Sequence, residues 1–374
     1  MTAGGSSDTR VSRLEPRSKR PTGVAYDALG LRWEWRSQRR VASAMKALHR
    51  RPRLALLLSA LIAVGTVVAI AASDKPRALW HTVGQIQPIW LAVALAAEFA
   101  AYAGYVVAYR STILNPEGPR LPFMLSVRLV VAGFGPFVPM GGFAFDRRAL
   151  RAVDYSPRHA RVQVMGLGVI EYLMLAPAAC VCALILVLDS AHASPVLTLP
   201  WIFAVPPGFA LAWWATKPPV LDYFQHAEDP VRRWIGDLLA GVEVLRGVVL
   251  RPLERPGAVL GMAIYWAAEI ACLGFALRCF GVEISIPALV VAYATGYAAS
   301  RRSLPFGGAG ITEALLTISL IAVHVNAAHA LFAVIAYRLV NFIVPTLPGL
   351  LAHSSLESLL EGTSKPTAHE GPSP

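Results

Sequence analysis

The residues of this chain that could do chemistry stand where charge is expensive. Arg301 and Arg302 run into a turn, Pro305-Phe306-Gly307-Gly308-Ala309-Gly310, which Glu313 follows, and Arg338 comes later in another apolar run. Glu98, Arg110, Arg128, Asp146, Glu171, Glu269 and Arg278 are placed in the same way earlier in the chain. An ionisable residue inside an apolar span needs a partner or a task. Guanidinium groups hold phosphate in a bidentate grip. A glycine turn adds backbone N–H groups and opens a new half-helix, whose positive end favours an anion. Arg301, Arg302, Arg338 and Arg128, with Gly307, Gly308 and Gly310, are therefore the expected ligands of a phosphate-bearing substrate. Glu313 competes for the same helix-end field. With Asp146, Glu171 and Glu269 it is assigned as a counter-ion or coupling group, displaced by substrate or by a proton. The competing reading is a set of fixed salt bridges that lock the bundle. Arg110 and Arg278 lie close to predicted helix ends, from which they can snorkel to the interface.

The elements that must position these residues are membrane spans. Hydrophobic residues make up 55% of the chain and charged ones 15%, well short of the charge of a soluble domain. Leu54–Ala72 carries no charge across its length, enough to cross about 30 Å of hydrocarbon at about 1.5 Å per residue. Similar runs lie near 89–107, 166–188, 199–216, 257–277 and 330–351. The long basic leader argues against a cleaved signal peptide and for a retained anchor at 54–72.

Residues 1–53 hold thirteen Lys/Arg against four Asp/Glu. They are expected to form a basic, largely disordered cytoplasmic arm, whose charge answers to topology and anionic lipid rather than to nucleic acid. Residues 217–256 carry apolar positions at helical spacing between arginines, and predict an amphipathic connector, either on the cytoplasmic surface or packed against the bundle. Residues 353–374 are a polar, disordered cytoplasmic tail. Cys180, Cys182, Cys272 and Cys279 fall inside apolar runs without metal-ligand spacing. His324 and His329 are ordinary loop histidines on this reading, so no metal and no cofactor is expected.

Two stretches repeat one another. Residues 121–150 and 286–316 each pass from an early proline (Pro122, Pro287) through an apolar segment to Pro-x-Gly-Gly, at Pro139–Gly142 and Pro305–Gly308. The proline spacings are 17 and 18, and a carboxylate follows each break, Asp146 and Glu313. A full crossing by 121–141 would put Arg147, Arg148, Arg151, Arg158 and Arg161 outside, against the positive-inside rule. Breaks at Pro139, Gly141 and Gly142, and at Pro305, instead predict two re-entrant hairpins, 121–145 and 287–323. Counted from a cytoplasmic N-terminus, they enter from opposite faces. The expected fold is all-α: a polytopic transmembrane bundle of two inverted repeats over 54–352, both termini cytoplasmic. The alternative is that the Gly and Pro residues merely kink ordinary spanning helices.

At these residues the sequence resembles the transmembrane flippase-like family associated with lysylphosphatidylglycerol synthases, which includes the membrane half of the multiple peptide resistance factor. The family signature P-x-G-G-x-G-x-x-E is matched by Pro305, Gly307, Gly308, Gly310 and Glu313, and "YRLVNFIVPTLPGLL" resembles its closing span. "VIEYL" around Glu171 and the break at 139–142 resemble its earlier elements more loosely. Gly142 and Phe143 depart from the family, whose members often place a basic residue and a glycine there. With only a short tail after His353, the resemblance implies lipid translocation without lipid synthesis. The cargo would be an aminoacylated phospholipid or a polyprenyl-phosphate glycolipid, moved across a cytoplasmic membrane.

No Walker A sequence is present, so energy would come from an ion gradient, a partner or the substrate's own gradient. Two other functions stay open. One is a membrane-embedded lipid-modifying transferase, using Asp146 or Glu313 without any H-E-x-x-H or G-x-S-x-G motif. The other is a non-catalytic partner of envelope-synthesis enzymes.

Overall fold

The computed structural model describes residues 86–113, 121–134, 142–153, 155–189, 194–226, 229–250, 256–297 and 310–341. The basic arm, the anchor at 54–72, the tail, Arg301, Arg302, and the break residues Pro139, Gly141, Pro305, Gly307 and Gly308 lie outside them.

Eleven helices make up the described structure, in chain order α1 (Pro88–Thr112), α2 (Phe123–Phe134), α3 (Gly142–Ala152), α4 (Pro157–Leu188), α5 (Pro195–Ala215), α6 (Pro218–Gln225), α7 (Pro230–Leu250), α8 (Pro256–Cys279), α9 (Ile286–Tyr297), α10 (Ile311–Ala322) and α11 (Ala327–Asn341). Proline opens six of them, where its fixed φ suits a helix start and its missing N–H costs nothing. At α4 the Ser156 side chain also accepts from the backbone N–H of His159. Four helices, α1, α4, α5 and α8, are long and apolar enough to cross a membrane. The described parts of α2 and α9, 12 residues each, reach about 18 Å, against a hydrocarbon core of about 30 Å. α5 turns Val196, Phe203 and Leu211 outward, an apolar exterior that suits lipid and not water. The connector expected as one amphipathic helix is two, because a turn and Pro230 divide α6 from α7.

The centre of the bundle is the antiparallel pair α1 and α8. Its register follows from close contacts: Gln87 N–H donates to the Cys279 carbonyl at 2.9 Å, Gly104 lies against Gly261, and Ser111 against Gly257. Small residues let the two backbones touch, which is how helices associate where no water drives them together. A Cβ at Gly261 would stand 2.6 Å from both the Ala108 nitrogen and the Gly104 oxygen.

Contacts sort the remaining helices to the two ends of this pair. At the α8 C-terminal end, Ile284 and Ala288 at the start of α9 share one apolar cluster with Ala322 and Val323 at the end of α10, and with Leu186 and Leu197. Ser194 N–H donates to the Ala322 carbonyl there. At the opposite end the Arg110 guanidinium lies over Phe123, where α2 begins. Arg158 and Arg161, at the start of α4, both donate to Asp237 of α7, at 3.1 and 2.6 Å, and Arg246 donates to the Thr216 carbonyl after α5.

Gly261→Val should push α1 and α8 apart, because the contacting atoms are backbone and cannot rotate away. We expect a loss of roughly 1–3 kcal/mol or more, read as a lower unfolding midpoint in detergent, whereas Gly247→Ala, in open space, should leave the midpoint unchanged.

Candidate functional site

Where α1 and α8 cross, each contributes a glutamate. The register that sets Gly104 against Gly261 also sets Glu98 level with Glu269, and both residues are 0% exposed. Burying a carboxylate costs several kcal/mol unless donors replace water, so the surrounding helices supply them. Asn341, at the end of α11, donates its side-chain amide to Glu98 Oε1 at 2.8 Å and lies 3.4 Å from Glu269 Oε2. Glu269 Oε2 also accepts from the Tyr337 hydroxyl at 2.7 Å and the Tyr293 hydroxyl at 3.1 Å. The two phenols are 3.2 Å from one another. One amide thus bridges the two central helices, and two tyrosines hold the glutamate of α8.

One turn back from Asn341, Arg338 reaches the first turn of α10. Its Nε donates to Glu313 Oε1 at 2.6 Å and its Nη1 approaches Asn341 Oδ1 at 3.4 Å. The other Glu313 oxygen accepts the Gly310 N–H at 2.6 Å, which closes the first turn of α10. Gly310 has φ +84°, a left-handed conformation that a Cβ would strain, so this turn requires glycine. Glu313 therefore caps its own helix and binds the last helix at once. The expected anion position at this helix start is taken, in this conformation, by a carboxylate.

The first half has its own buried group. Glu171 of α4 accepts a short hydrogen bond from the Tyr105 hydroxyl, and its backbone carbonyl accepts from Trp266 Nε1 at 2.9 Å. Asp146 of α3 is 0% exposed and within electrostatic reach of Glu171. The aromatic rings of Tyr105, Phe134, Tyr265, Trp266, Tyr293 and Tyr297 pack on one another edge to face, tilted or stacked, and connect Tyr105 at Glu171 with Tyr293 at Glu269. They shield the carboxylates from solvent while offering hydroxyls.

The structure thus joins Arg338, Glu313, Gly310 and Glu269 in one network and puts Asp146 with Glu171 in another. Gly142 is buried at the start of α3. Arg128 is exposed on α2, and among the described residues no hydrogen bond or ion pair involves it. Glu313, assigned from the sequence as a counter-ion or coupling group, has Arg338 as its guanidinium partner among the described residues.

Sequence reasoning gave no role to Glu98, Tyr293, Tyr337 or Asn341. A signal for them exists: "AAEFA" at 96–100 recurs as "AAEIA" at 267–271, and "VIEY" at 169–172 as "VIAY" at 334–337. The first pair marks Glu98 and Glu269 as equivalent. The second aligns Leu173 with Arg338.

Residues 54–349 match the family described as the lysylphosphatidylglycerol synthase TM region. No curated protein matches the chain.

Removing one partner of a buried ion pair strands the other. Arg338→Met should cost about 3–5 kcal/mol, and the double variant Glu313→Gln/Arg338→Met should recover much of it. Unfolding midpoints of the wild type, both single variants and the double variant check this.

Proposed function

This chain belongs to the family of the lysylphosphatidylglycerol synthase TM region, an integral membrane protein family, and from that premise we propose that it moves an anionic or amphipathic lipid across its membrane by alternating access. The carrying observation is the Glu98–Asn341–Glu269 bridge at the crossing of α1 and α8. The two glutamates sit in matching pentapeptides on antiparallel helices that face each other at the matching residue. That arrangement supports a pseudo-two-fold axis in the membrane plane, the mark of an inverted-topology repeat.

The helix pairs support the same reading. α9 and α10 begin and end in one apolar cluster, beside the α4–α5 turn. α2 begins beside Arg110, at the end of the bundle where α3 leads into α4. These positions support reading each pair as a short hairpin that enters and leaves on one side, with the two sides opposite. The described parts of α2 and α9, 12 residues each, are shorter than a membrane span, and broken helices at membrane depth need protein or a cavity around them.

On this reading the transmembrane domain runs over 54–352, with α6 and α7 on its cytoplasmic side. Arg338, with Arg301 and Arg302 of the second break, takes the lipid phosphate. Substrate phosphate competes with the Glu313 carboxylate for Arg338, and the released carboxylate takes a proton or stays on the helix cap. Glu269 and Glu98, bridged by Asn341, couple the two halves: a rocking motion about the axis must exchange their donors, since neither carboxylate tolerates losing them in a dry site. The cargo class is an aminoacylated phospholipid or a polyprenyl-phosphate glycolipid in a cytoplasmic membrane. The closed Glu313–Arg338 pair favours a second reading, a salt-bridged scaffold for envelope-synthesis enzymes.

Purified protein in proteoliposomes, given a fluorescent phosphatidylglycerol derivative or a polyprenyl-phosphate sugar, separates the two. The transporter moves one of them, and Asn341→Leu and Arg338→Lys each slow it at least about tenfold, equivalent to about 1.4 kcal/mol on the barrier. The scaffold moves neither.

A further inference from the structure

The helix pair α3 and α4 carries a face of arginines that the network around Glu98 and Glu269 does not use. α3 buries Phe145, Ala149 and Leu150, and leaves exposed Arg147 and Arg151, which stand one turn apart on the same side of the helix. The Val153 and Tyr155 N–H groups both donate to the Leu150 carbonyl, closing the turn that sends α4 back along α3. Phe143 sets the register of the pair: its ring lies 3.3 Å from where a Cβ at Gly168 would stand. Counting the same number of residues forward from Phe143 and back from Gly168 brings Arg161 level with Leu150, between Arg147 and Arg151. The charges that act on Arg147 agree with this register, since they are Arg151 and Arg161.

Arg158 and Arg161 converge on one carboxylate. Arg158 Nε donates to Asp237 Oδ1 at 3.1 Å and Arg161 Nη1 to Asp237 Oδ2 at 2.6 Å, one guanidinium on each oxygen. Guanidiniums grip a phosphate in the same way, and here a carboxylate of α7 takes its place. The Asp237 side chain is 12% exposed, whereas those of Arg158 and Arg161 are 61% and 30% exposed, so another anion can reach both from outside. Among the described residues these are the ion pairs of the whole group, and four guanidiniums share one ion-paired carboxylate. Asp146 belongs to the buried face of α3, and Asp154 lies outside the described residues. Arg158 also stands in the first turn of α4, the positive end of its dipole, where a cation is disfavoured unless an anion is near. Such an excess of positive charge repels itself and attracts an anion from outside the chain.

The setting selects among anions. Exposed guanidiniums do not lie in hydrocarbon, so this end of the bundle meets the headgroup layer. At the same end Phe123 and Met124 open α2 with 55% and 58% of their surface exposed, and the Arg110 guanidinium lies over Phe123. Exposed apolar surface and exposed arginine at one end of a membrane protein fit a molecule with a phosphate head and an acyl body. A soluble polyanion would use the charge alone.

We propose that Arg147, Arg151, Arg158 and Arg161 form a docking surface for the anionic phospholipid headgroups of the surrounding leaflet, and that Asp237 is its built-in competitor. A bound headgroup takes Arg158 first, the more exposed of the two paired arginines, and loosens α7 from the start of α4. The surface does not rest on the lipid-transport reading: it holds leaflet lipid whether or not the protein moves any.

Thermal unfolding of the purified full-length protein in a non-ionic detergent tests the surface, with dihexanoyl phosphatidylglycerol, dihexanoyl phosphatidylcholine or inorganic phosphate added. Phosphatidylglycerol should raise the wild-type midpoint saturably, and the other two should not. Arg147→Gln/Arg151→Gln should weaken that response at least about tenfold. Without lipid the midpoint of this variant should equal or exceed that of the wild type, because it relieves repulsion. Asp237→Asn should act in the opposite sense, with a lower midpoint without lipid and phosphatidylglycerol held at least about threefold more tightly. A carboxylate that only braces α7 would give the lower midpoint without the tighter binding. That result, a response that survives Arg147→Gln/Arg151→Gln unchanged, or an equal response to inorganic phosphate would each overturn the surface. Lipid movement in proteoliposomes is read separately. A phosphatidylglycerol response in a protein that moves no lipid keeps the surface and removes the transporter. Lipid movement by a protein whose midpoint ignores phosphatidylglycerol removes the surface and keeps the transporter.

Discussion

Two carboxylates buried at one helix crossing set the terms for the rest of this structure. Glu98 and Glu269 cannot keep their water, so every element around them is placed to return hydrogen bonds: Asn341 from α11, Tyr337 one turn before it, Tyr293 from α9. The cost of failing to do so is several kcal/mol per group in a dry interior. This explains why α11, otherwise apolar, carries tyrosine and arginine side by side at Tyr337 and Arg338 and asparagine one turn later at Asn341. It also explains the cluster of aromatic rings around them, which offer donors without admitting water.

The same crossing demands that α1 and α8 approach until their backbones touch. Gly104 and Gly261 make that approach possible, and Gly257 extends it to Ser111. With the two helices fixed antiparallel, their glutamates fall level, and the short helix pairs pack on either side. The network is therefore a consequence of backbone spacing as much as of side-chain chemistry. Small residues bring the helices together, the helices bring the charges together, and the charges recruit the hydroxyls. The two buried groups differ in detail: the Arg338 guanidinium meets Glu313 in one, and the Tyr105 hydroxyl meets Glu171 in the other.

Much of this was legible in the sequence. Apolar runs of membrane length gave α1, α5 and α8 to within about five residues and α4 from its tenth residue on, because burial in lipid leaves a strong compositional mark. The glycine turn before Glu313 was readable for a backbone reason, since Gly310 adopts a conformation open to few other residues. Pairings were harder. Arg338 and Glu313 are 25 residues apart and Asn341 and Glu98 are 243 apart, and no local period connects them. The register of α1 against α8 was equally hidden, as it depends on which glycines face each other. Arg128 lies exposed on α2, a placement that no local sequence pattern announced.

The central claim is that the two hairpins enter from opposite faces around the Glu98–Asn341–Glu269 bridge. Site-directed labelling with a membrane-impermeant maleimide tests it most directly, in a background where Cys180, Cys182, Cys272 and Cys279 are replaced. Single cysteines at Pro122 and Ser156 would flank the first hairpin, and at Glu283 and Asn326 the second. The account predicts that Pro122→Cys and Ser156→Cys label together from one side of the membrane, and Glu283→Cys and Asn326→Cys together from the other. Labelling of Glu283→Cys and Asn326→Cys from opposite sides would mean that the second hairpin crosses the membrane, and would contradict it.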